Sequence, residues 1–520
     1  MKVRMTQRLR PWKPDFRRVG RALLGLWRPR WVHIQAAGLG ALAVFAFAPF
    51  SFAPLALLSL SGLFWLWYRS ERPGDAFKVG FWYGLGLFGV GASWLFSSIY
   101  VYGGAPLPLA LLAVVAWVIY LSLFPALAGW LAKRFTHPGS VWGLLIIYPA
   151  AWVAGEYLRG HLLGGYPVLN LGTSHILTWL DGYAPLLGVY GVGWALALSA
   201  AALVWLIERG AWIGAPLVFA AVWLAGGSLS DVRWTTPHGQ PVDMALLQGN
   251  IPQEEKWQPE KFYSQLQTYV RMTKQNLGAD VIVWPETAVP GFFDLVEKGA
   301  LKTFIRDAQI LKKDILIGTI WREADQRYHN ALVNIGQNPY GVYKKYHLVL
   351  IGEYYPFAEV LAPLFTWLNI PFDQFSPGPF PPEPMRLGRY HAGMAICFET
   401  QFGEELRYQL PKANYFITVS NDAWFAHTLE PAQALQEVQM RAKALGRPFA
   451  RATNTGYTAL IDVDGRIIEQ LPAYAPGVLR ANLQPYTGLT PFARWGELPL
   501  LFLLGSVFGF VLALRYLRRR

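Results

Sequence analysis

Polar and apolar positions alternate at two very different scales along this chain. Before residue 235 the apolar runs are long, about 17 to 25 residues each, and one more follows residue 490. Crossing roughly 30 Å of hydrocarbon needs about 20 apolar residues in a helix. The pattern predicts transmembrane helices near 34–50, 52–68, 79–99, 107–131, 141–158, 186–207, 211–229 and 496–514. Pro49 and Pro54 separate the first two, which reads as a helical hairpin rather than one long helix. Between 235 and 490 the apolar runs shrink to strand length, at 242–247, 280–284, 314–320, 331–335, 393–397 and 415–420. They alternate with helical periodicity near 261–277, 297–311, 403–410 and 430–445, so this part reads as an α/β domain.

Composition agrees with a membrane protein: 53% of residues are hydrophobic and 15% charged. The formal charge of +13 first suggests nucleic acid, but its distribution removes that reading. Residues 235–490 carry 23 basic and 25 acidic side chains, and the whole excess lies in the apolar flanks. Ten Lys or Arg fall within residues 1–33, and Arg515, Arg518, Arg519 and Arg520 close the chain. With the basic N-terminus cytoplasmic, Arg69, Arg72 and Lys78, then Lys133 and Arg134, then Arg209, all fall on the same side, and Arg159 is the main exception. The expected organisation is a basic cytoplasmic segment (1–33), seven spans (34–230), an extracytoplasmic α/β domain (235–490), and an eighth span with a cytoplasmic tail (491–520). One cysteine, Cys397, excludes an intrachain disulfide.

Three apolar runs in the α/β domain end in reactive side chains. Val281-Ile282-Val283-Trp284-Pro285 leads to Glu286, Gly393-Met394-Ala395-Ile396 leads to Cys397, and Val342-Tyr343 leads to Lys344-Lys345. A thiol, a carboxylate and an ammonium suffice for acyl transfer: nucleophile, proton carrier and oxyanion partner. On this reading a neighbouring lysine lowers the thiol pKa while the carboxylate offsets that charge. Each residue also has a plain structural use, the cysteine as a small core side chain, the acid in a solvated turn and the lysines on a solvated edge. His329, His347, His391 and His427 show no metal-ligand spacing. Glu156 and Arg159, at a span end, read either as functional ionisable groups or, being one helical turn apart, as structural ion-pair partners.

In order, Glu286, Lys345 and Cys397 resemble the Glu-Lys-Cys triad of the nitrilase superfamily. Their surroundings are Gln248-Gly249-Asn250-Ile251-Pro252 with Trp257, Trp284-Pro285-Glu286-Thr287, Lys345-Tyr346-His347-Leu348 with Gly352-Glu353, Ile396-Cys397-Phe398-Glu399, Ser420-Asn421-Asp422-Ala423-Trp424-Phe425, and Arg447-Pro448 with Arg451-Ala452-Thr453-Asn454-Thr455-Gly456. The membrane half adds Glu156-Tyr157-Leu158-Arg159-Gly160 and Gly188-Val189-Tyr190-Gly191-Val192. With about eight transmembrane helices around a nitrilase-like αββα domain, the set is similar to the bacterial apolipoprotein N-acyltransferase family. The resemblance implies a multi-pass protein of the bacterial inner membrane, with its catalytic domain periplasmic and both termini cytoplasmic. It implies Cys397 as nucleophile, Glu286 as general base and acid, and Lys345, rather than Lys344, on the oxyanion, because the family pattern is Lys, any residue, His, Leu.

The implied reaction moves the sn-1 acyl chain of a phospholipid, typically phosphatidylethanolamine, through a cysteine thioester to the amino group of a diacylglyceryl-cysteine at an apolipoprotein N-terminus. Glu353, Glu399 and Phe398 would support the site, the last where the family often has Tyr. Trp257, Asn421, Trp424 and Arg447 would contact substrate. No cofactor, metal or nucleic acid is called for, and a monomer is expected. The aromatic stretch 354–375 reads as a lid dipping into the lipid interface, or as packing against the spans. Two rival functions use the same residues differently: a membrane-anchored amidase releasing the acyl group to water, and a non-catalytic lipoprotein-binding protein.

Overall fold

A computed structural model describes residues 30–137, 139–350, 352–355, 374–425 and 427–517. The basic segment 1–29, most of the 354–375 stretch and Arg518 to Arg520 lie outside the described residues. Each long apolar run is helical: α1 (Trp31–Val44), α2 (Pro54–Arg69), α3 (Pro73–Gly91), α4 (Leu107–Phe135), α5 (Tyr148–His161), α6 (Ala184–Arg209) and α7 (Gly214–Ser230). The fifth run opens with a π-helical turn, Gly143–Ile147, ahead of α5. Among the described residues, three helices are long and apolar enough to cross a membrane by length and composition: Leu107–Phe135, Trp179–Arg209 and Leu498–Leu517. Small residues set the helix spacing. Gly80 and Gly84, one turn apart on α3, lie so close to Pro125 and Ser122 of α4 that a Cβ at Gly80 would fall 2.2 Å from the Pro125 carbonyl oxygen.

Glu156 and Arg159 do not serve as partners for one another. Glu156 accepts the Leu171 N–H at 2.8 Å, while Arg159 donates to the carbonyls of Tyr166 and Val168 and to Asn170 Oδ1. Both side chains are spent on fixing the loop after α5, because buried backbone groups there have no helix to satisfy them.

The α/β domain contains β1 (Thr235–Pro237), β2 (Val242–Gln248), α8 (Pro259–Gln275), β3 (Val281–Val283), α9 (Phe293–Lys298), α10 (Lys302–Leu311), β4 (Asp314–Arg322), β5 (Tyr328–Asn334) and β6 (Gly341–Lys344). It continues with β7 (Met385–Leu387), β8 (Tyr390–Ile396), β9 (Tyr415–Ser420), α11 (Glu430–Leu445), β10 (Phe449–Thr453), β11 (Ala459–Ile461), β12 (Ile467–Gln470), β13 (Gly477–Leu483) and β14 (Tyr486–Gly488). Helix α12 (Leu498–Leu517) ends the described chain. The helical pattern at 297–311 is two helices, broken at Gly299. The one at 403–410 stops at Leu406 and tightens into a 3-10 turn ahead of Pro411, which disfavours helical backbone in the residue before it.

Two six-stranded sheets stack face to face, in the orders β13-β2-β3-β4-β5-β6 and β12-β11-β10-β9-β8-β7. Each has a parallel centre, β2-β3-β4 in one and β8-β9-β10 in the other. Alternation along the strands explains the layering. Met244 and Leu246 of β2 meet Met394 and Ile396 of β8 between the sheets, whereas Ala245 and Leu247 face α8 and α10. On the far side, Phe416, Phe449 and Ile461 pack against α11, which is continuous with the membrane helices. Strands β1 and β14 pair where the chain enters and leaves the domain.

Helix α11 is the joint between the two halves, and every residue from Pro431 to Leu445 is buried. Its apolar positions take the sheet, and its polar positions are matched partly from the membrane half and partly from the α/β domain. Gln433 accepts from Trp94 Nε1 and donates to the Gly91 carbonyl; Gln436 accepts the Ala48 N–H; Glu437 accepts from Thr173 Oγ1. Arg441 donates to the carbonyls of Thr400 and Gln401 and, at 3.2 Å, to Glu437. Truncating one partner of a buried pair leaves the other charge uncompensated. Arg441→Ala is expected to cost about 3–5 kcal/mol, read as a lower thermal midpoint of the detergent-purified protein; an unchanged midpoint would show that the pair contributes no net stability.

Candidate active site

Glu286 and Cys397 stand at the carboxyl ends of the parallel strands β3 and β8, where this class of sheet presents its rim, and Lys345 at the end of the antiparallel edge strand β6. After β3, Trp284 is fully buried, with its ring stacked on Tyr269 and its Nε1 donating to Thr273 Oγ1 at 2.8 Å. Pro285 then ends the pairing and Thr287 takes a left-handed backbone, φ +47°. This turn fits only because Gly318 passes behind it: a Cβ there would lie 2.2 Å from the Pro285 carbonyl oxygen. Glu286 is thereby held inward, its two carboxylate oxygens accepting from Asn330 Nδ2 at 2.7 Å and from the Asn421 N–H at 2.9 Å.

Lys345 follows β6 and is 1% exposed. Its Nζ lies 2.8 Å from the Glu353 carboxylate and 3.9 Å from Glu286 Oε1. Asn330 spans both acids, donating to Glu353 at 3.1 Å as well as to Glu286. Cys397, half-buried, leaves β8 in a left-handed conformation, φ +55°. Such a backbone costs a non-glycine residue about 1–2 kcal/mol, so the surroundings must impose it.

Glu399 supplies that constraint. Its carboxylate accepts from the Ile396 N–H, the Tyr343 hydroxyl, and the N–H groups of Tyr346 and His347, at 2.6 to 3.1 Å. One side chain therefore pins the cysteine elbow to the segment carrying Lys345.

Two family models match the chain, the apolipoprotein N-acyltransferase N-terminal domain over residues 39–202 and carbon-nitrogen hydrolase over 243–492. The apolipoprotein N-acyltransferases of Methylococcus capsulatus and Nitrosomonas europaea are each 41% identical over 92% of this chain, covering 95% and 97% of their own lengths. That of Photobacterium profundum is 35% identical over 98% of this chain and 97% of its own. The chain belongs to the apolipoprotein N-acyltransferase family.

The remaining sequence candidates divide into two groups. Glu353, Glu399 and Asn421 bond directly to the Glu286, Lys345 and Cys397 segments. Phe398 packs its ring against Phe402 and His347. Trp257 is 52% exposed and Trp424 36%, the latter edge-on to Tyr102 of the membrane half. Arg447 does not join them. It is fully buried, and its guanidinium donates to the carbonyls of Ala413, Gly446 and Gly488, bracing the β14 end of the domain instead of facing substrate.

Several residues escaped the sequence reading. Asn330 lies mid-strand in β5 with no motif around it. Lys256, in the short helix Gln253–Lys256 just before Trp257, is 3% exposed and donates to the Glu286 carbonyl at 3.2 Å. Gln253 accepts from Asn421, and Asn454 donates to Asn421 Oδ1, which fastens the same segment to the base.

The electrostatics correct one expectation. Burial pushes the Cys397 thiol well above its ordinary value, Glu286 adds to the rise, and Lys345 only partly opposes it, so the resting cysteine is a thiol rather than a thiolate. Burial alone would lower the Lys345 ammonium, but Glu353, then Glu286 and Cys397, outweigh it and hold the group charged. Burial raises Glu399 to about 7 against Lys345 and three backbone donors, and it lowers Lys256 to about 8.

Two measurements follow. Glu286→Gln removes a negative charge from the thiol's surroundings, so iodoacetamide should alkylate Cys397 faster at pH 8 than in the parent while acyl transfer collapses; slower alkylation would contradict the electrostatic assignment. At pH 7 Lys256 is below both its folded and its ordinary pKa, so the full penalty of burying its charge, about 3 kcal/mol, opposes folding. Lys256→Met should therefore hold or raise the thermal midpoint while lowering turnover about tenfold; a lower midpoint with unchanged turnover would make Lys256 a purely structural residue.

Proposed function

We propose that this protein transfers the sn-1 acyl chain of a phospholipid to the α-amino group of the N-terminal diacylglyceryl-cysteine of apolipoproteins, through a thioester on Cys397. The observation that carries the reading is the pairing of two acids around one buried lysine: Glu353 neutralises Lys345 at 2.8 Å, which leaves Glu286 at 3.9 Å with two neutral donors and a free role as proton carrier.

In the first half-reaction Glu286 takes the thiol proton as sulfur attacks the ester carbonyl, and the Lys345 ammonium faces the oxyanion. The C–O bond breaks, the leaving alkoxide receives the proton from Glu286, and lysophospholipid departs. In the second, the acceptor amine attacks the thioester, gives a proton to Glu286, and the C–S bond breaks to restore the thiol. A thiol neutral at rest needs a base within the same step, which is the part Glu286 fills. Glu353, Glu399 and Asn421 position the three, and Phe398, Trp257 and Trp424 offer aromatic surface to the lipid chains.

The surrounding architecture supports a lipid substrate. Among the described residues, helices α4, α7 and α12 leave Leu111, Leu112, Leu217, Leu224, Phe502 and Phe510 about half exposed or more, the surface that hydrocarbon would solvate. We read eight spans in a bacterial inner membrane, within 34–230 and 491–520, with residues 235–490 periplasmic as the catalytic domain and both termini cytoplasmic. Phosphatidylethanolamine is the proposed donor, and the working unit a monomer.

Intact-mass measurement after incubation with phospholipid should find one acyl chain added to the parent and none on Cys397→Ala, with N-acylation of a diacylated lipoprotein peptide lowered at least about 10³-fold. Full N-acylation by Cys397→Ala would refute the assignment. Free fatty acid released at the same rate with and without acceptor would favour the amidase reading.

A further inference from the structure

Helix α12 is packed most tightly near its start and touches the rest of the protein at fewer points beyond it. Its buried residues are Leu500 and Leu504, both in the first half, while Phe502, Phe510 and Leu512 are more than half exposed. Past Leu504 a cavity of about 940 Å³ lies between it, the end of α4 and the start of the fifth apolar segment, crossed by the Phe508–Phe135 ring contact. Its walls are apolar: Phe135, Trp142 and Ile146 on one side, Val507, Phe510 and Val511 on the other.

One end is different. Thr136, His137, Ser140 and Arg515 line it. Arg515 stands over the Phe135 ring, 5.0 Å from its centroid, and donates to the Arg134 carbonyl. Lys133, beside Arg134 at the end of α4, donates to the Tyr68 carbonyl. Among the described residues no carboxylate lines the cavity. An apolar cleft between membrane helices that closes on an arginine, a histidine and two hydroxyl side chains has the chemistry of an anionic lipid: acyl chains in the cleft, phosphate at the Arg515 end. The volume is at the upper end of the roughly 300–1,000 Å³ of ordinary ligand sites.

We infer that the cleft between α12 and the α4–α5 connection binds one anionic phospholipid, which fills the gap and fixes the distal half of α12. The inference rests on the membrane-spanning reading above. The site is not a donor subsite. The catalytic domain joins α12 at its start, and Arg515 lies roughly 25 Å farther along the helix, so a lipid held there belongs to the opposite leaflet from Cys397.

The test uses the full chain purified in mild detergent. Native mass spectrometry and lipid extraction are expected to find about one phosphatidylglycerol-class lipid per chain. After delipidation, adding back phosphatidylglycerol should raise the thermal midpoint and phosphatidylcholine should not. Arg515→Gln is expected to lower retention about tenfold, and Ser506→Trp, which places an indole in the cleft, to displace the lipid with Arg515 intact. Acyl-enzyme formation on Cys397 should persist in both variants, which separates failure of this site from failure of the proposed reaction. Equal retention of phosphatidylcholine, or anionic lipid retained by both variants, would overturn the inference.

Discussion

The site depends on keeping one ammonium charged where water cannot reach it. Moving a lysine into a protein interior costs several kcal/mol unless paired charge returns it, and Lys345 is 1% exposed. Two carboxylates meet that cost unequally. Glu353 makes the close contact and Glu286 stands back, joined to the same network through Asn330, which donates to both acids. The inequality matters because a carboxylate locked in a tight ion pair is a poor base, while one held by neutral donors keeps its lone pairs available. Removing Glu353 would therefore draw Lys345 toward Glu286 and damage the base as well as the lysine.

The same economy of partners appears at the joint between the two halves. Helix α11 has Gln433, Gln436, Glu437 and Lys443 on the stripe turned toward the membrane helices, where a free-standing nitrilase-like domain would meet solvent. Polar contacts across a buried interface fix register more sharply than apolar packing does, since a misplaced pair leaves a desolvated group without a partner. The proposed reaction between two membrane-held lipids would need Cys397 at a set height above the bilayer. The matched polar stripe on α11, together with the β1–β14 pair at the domain's root, sets it.

Legibility in the sequence followed the range of the interaction. Period-two and period-3.6 patterns are local, so the long apolar helices, β2, β4, β9 and α11 could be placed from the chain alone. Short strands such as β12 and β14 carry no alternating burial pattern of their own; Ile467–Gln470 is exposed throughout and is a strand only through pairing with β11. Cys397, Glu286 and Lys345 were visible because each ends an apolar run. Asn330 was not, since a mid-strand asparagine gains meaning only when β5 sets it between two acids. Lys256 looked like any helix-surface lysine, and Arg447, beside a recognisable motif, proved to be spent on backbone carbonyls. Glu156 and Arg159 had the spacing of an ion pair, but a loop rich in unsatisfied carbonyls and N–H groups claimed both.

The neutral resting thiol connects these features to the chemistry. A preformed thiolate in a site open to lipid would also be open to oxidants and other electrophiles. Burial and Glu286 together suppress it. Under the proposed mechanism sulfur becomes nucleophilic only as its proton leaves for Glu286, which would tie activation to the arrival of a carbonyl whose developing charge Lys345 meets. The left-handed backbone at Cys397 and the four donors gathered by Glu399 hold sulfur and ammonium in that relation before any substrate arrives, so little reorganisation is left for the reacting step.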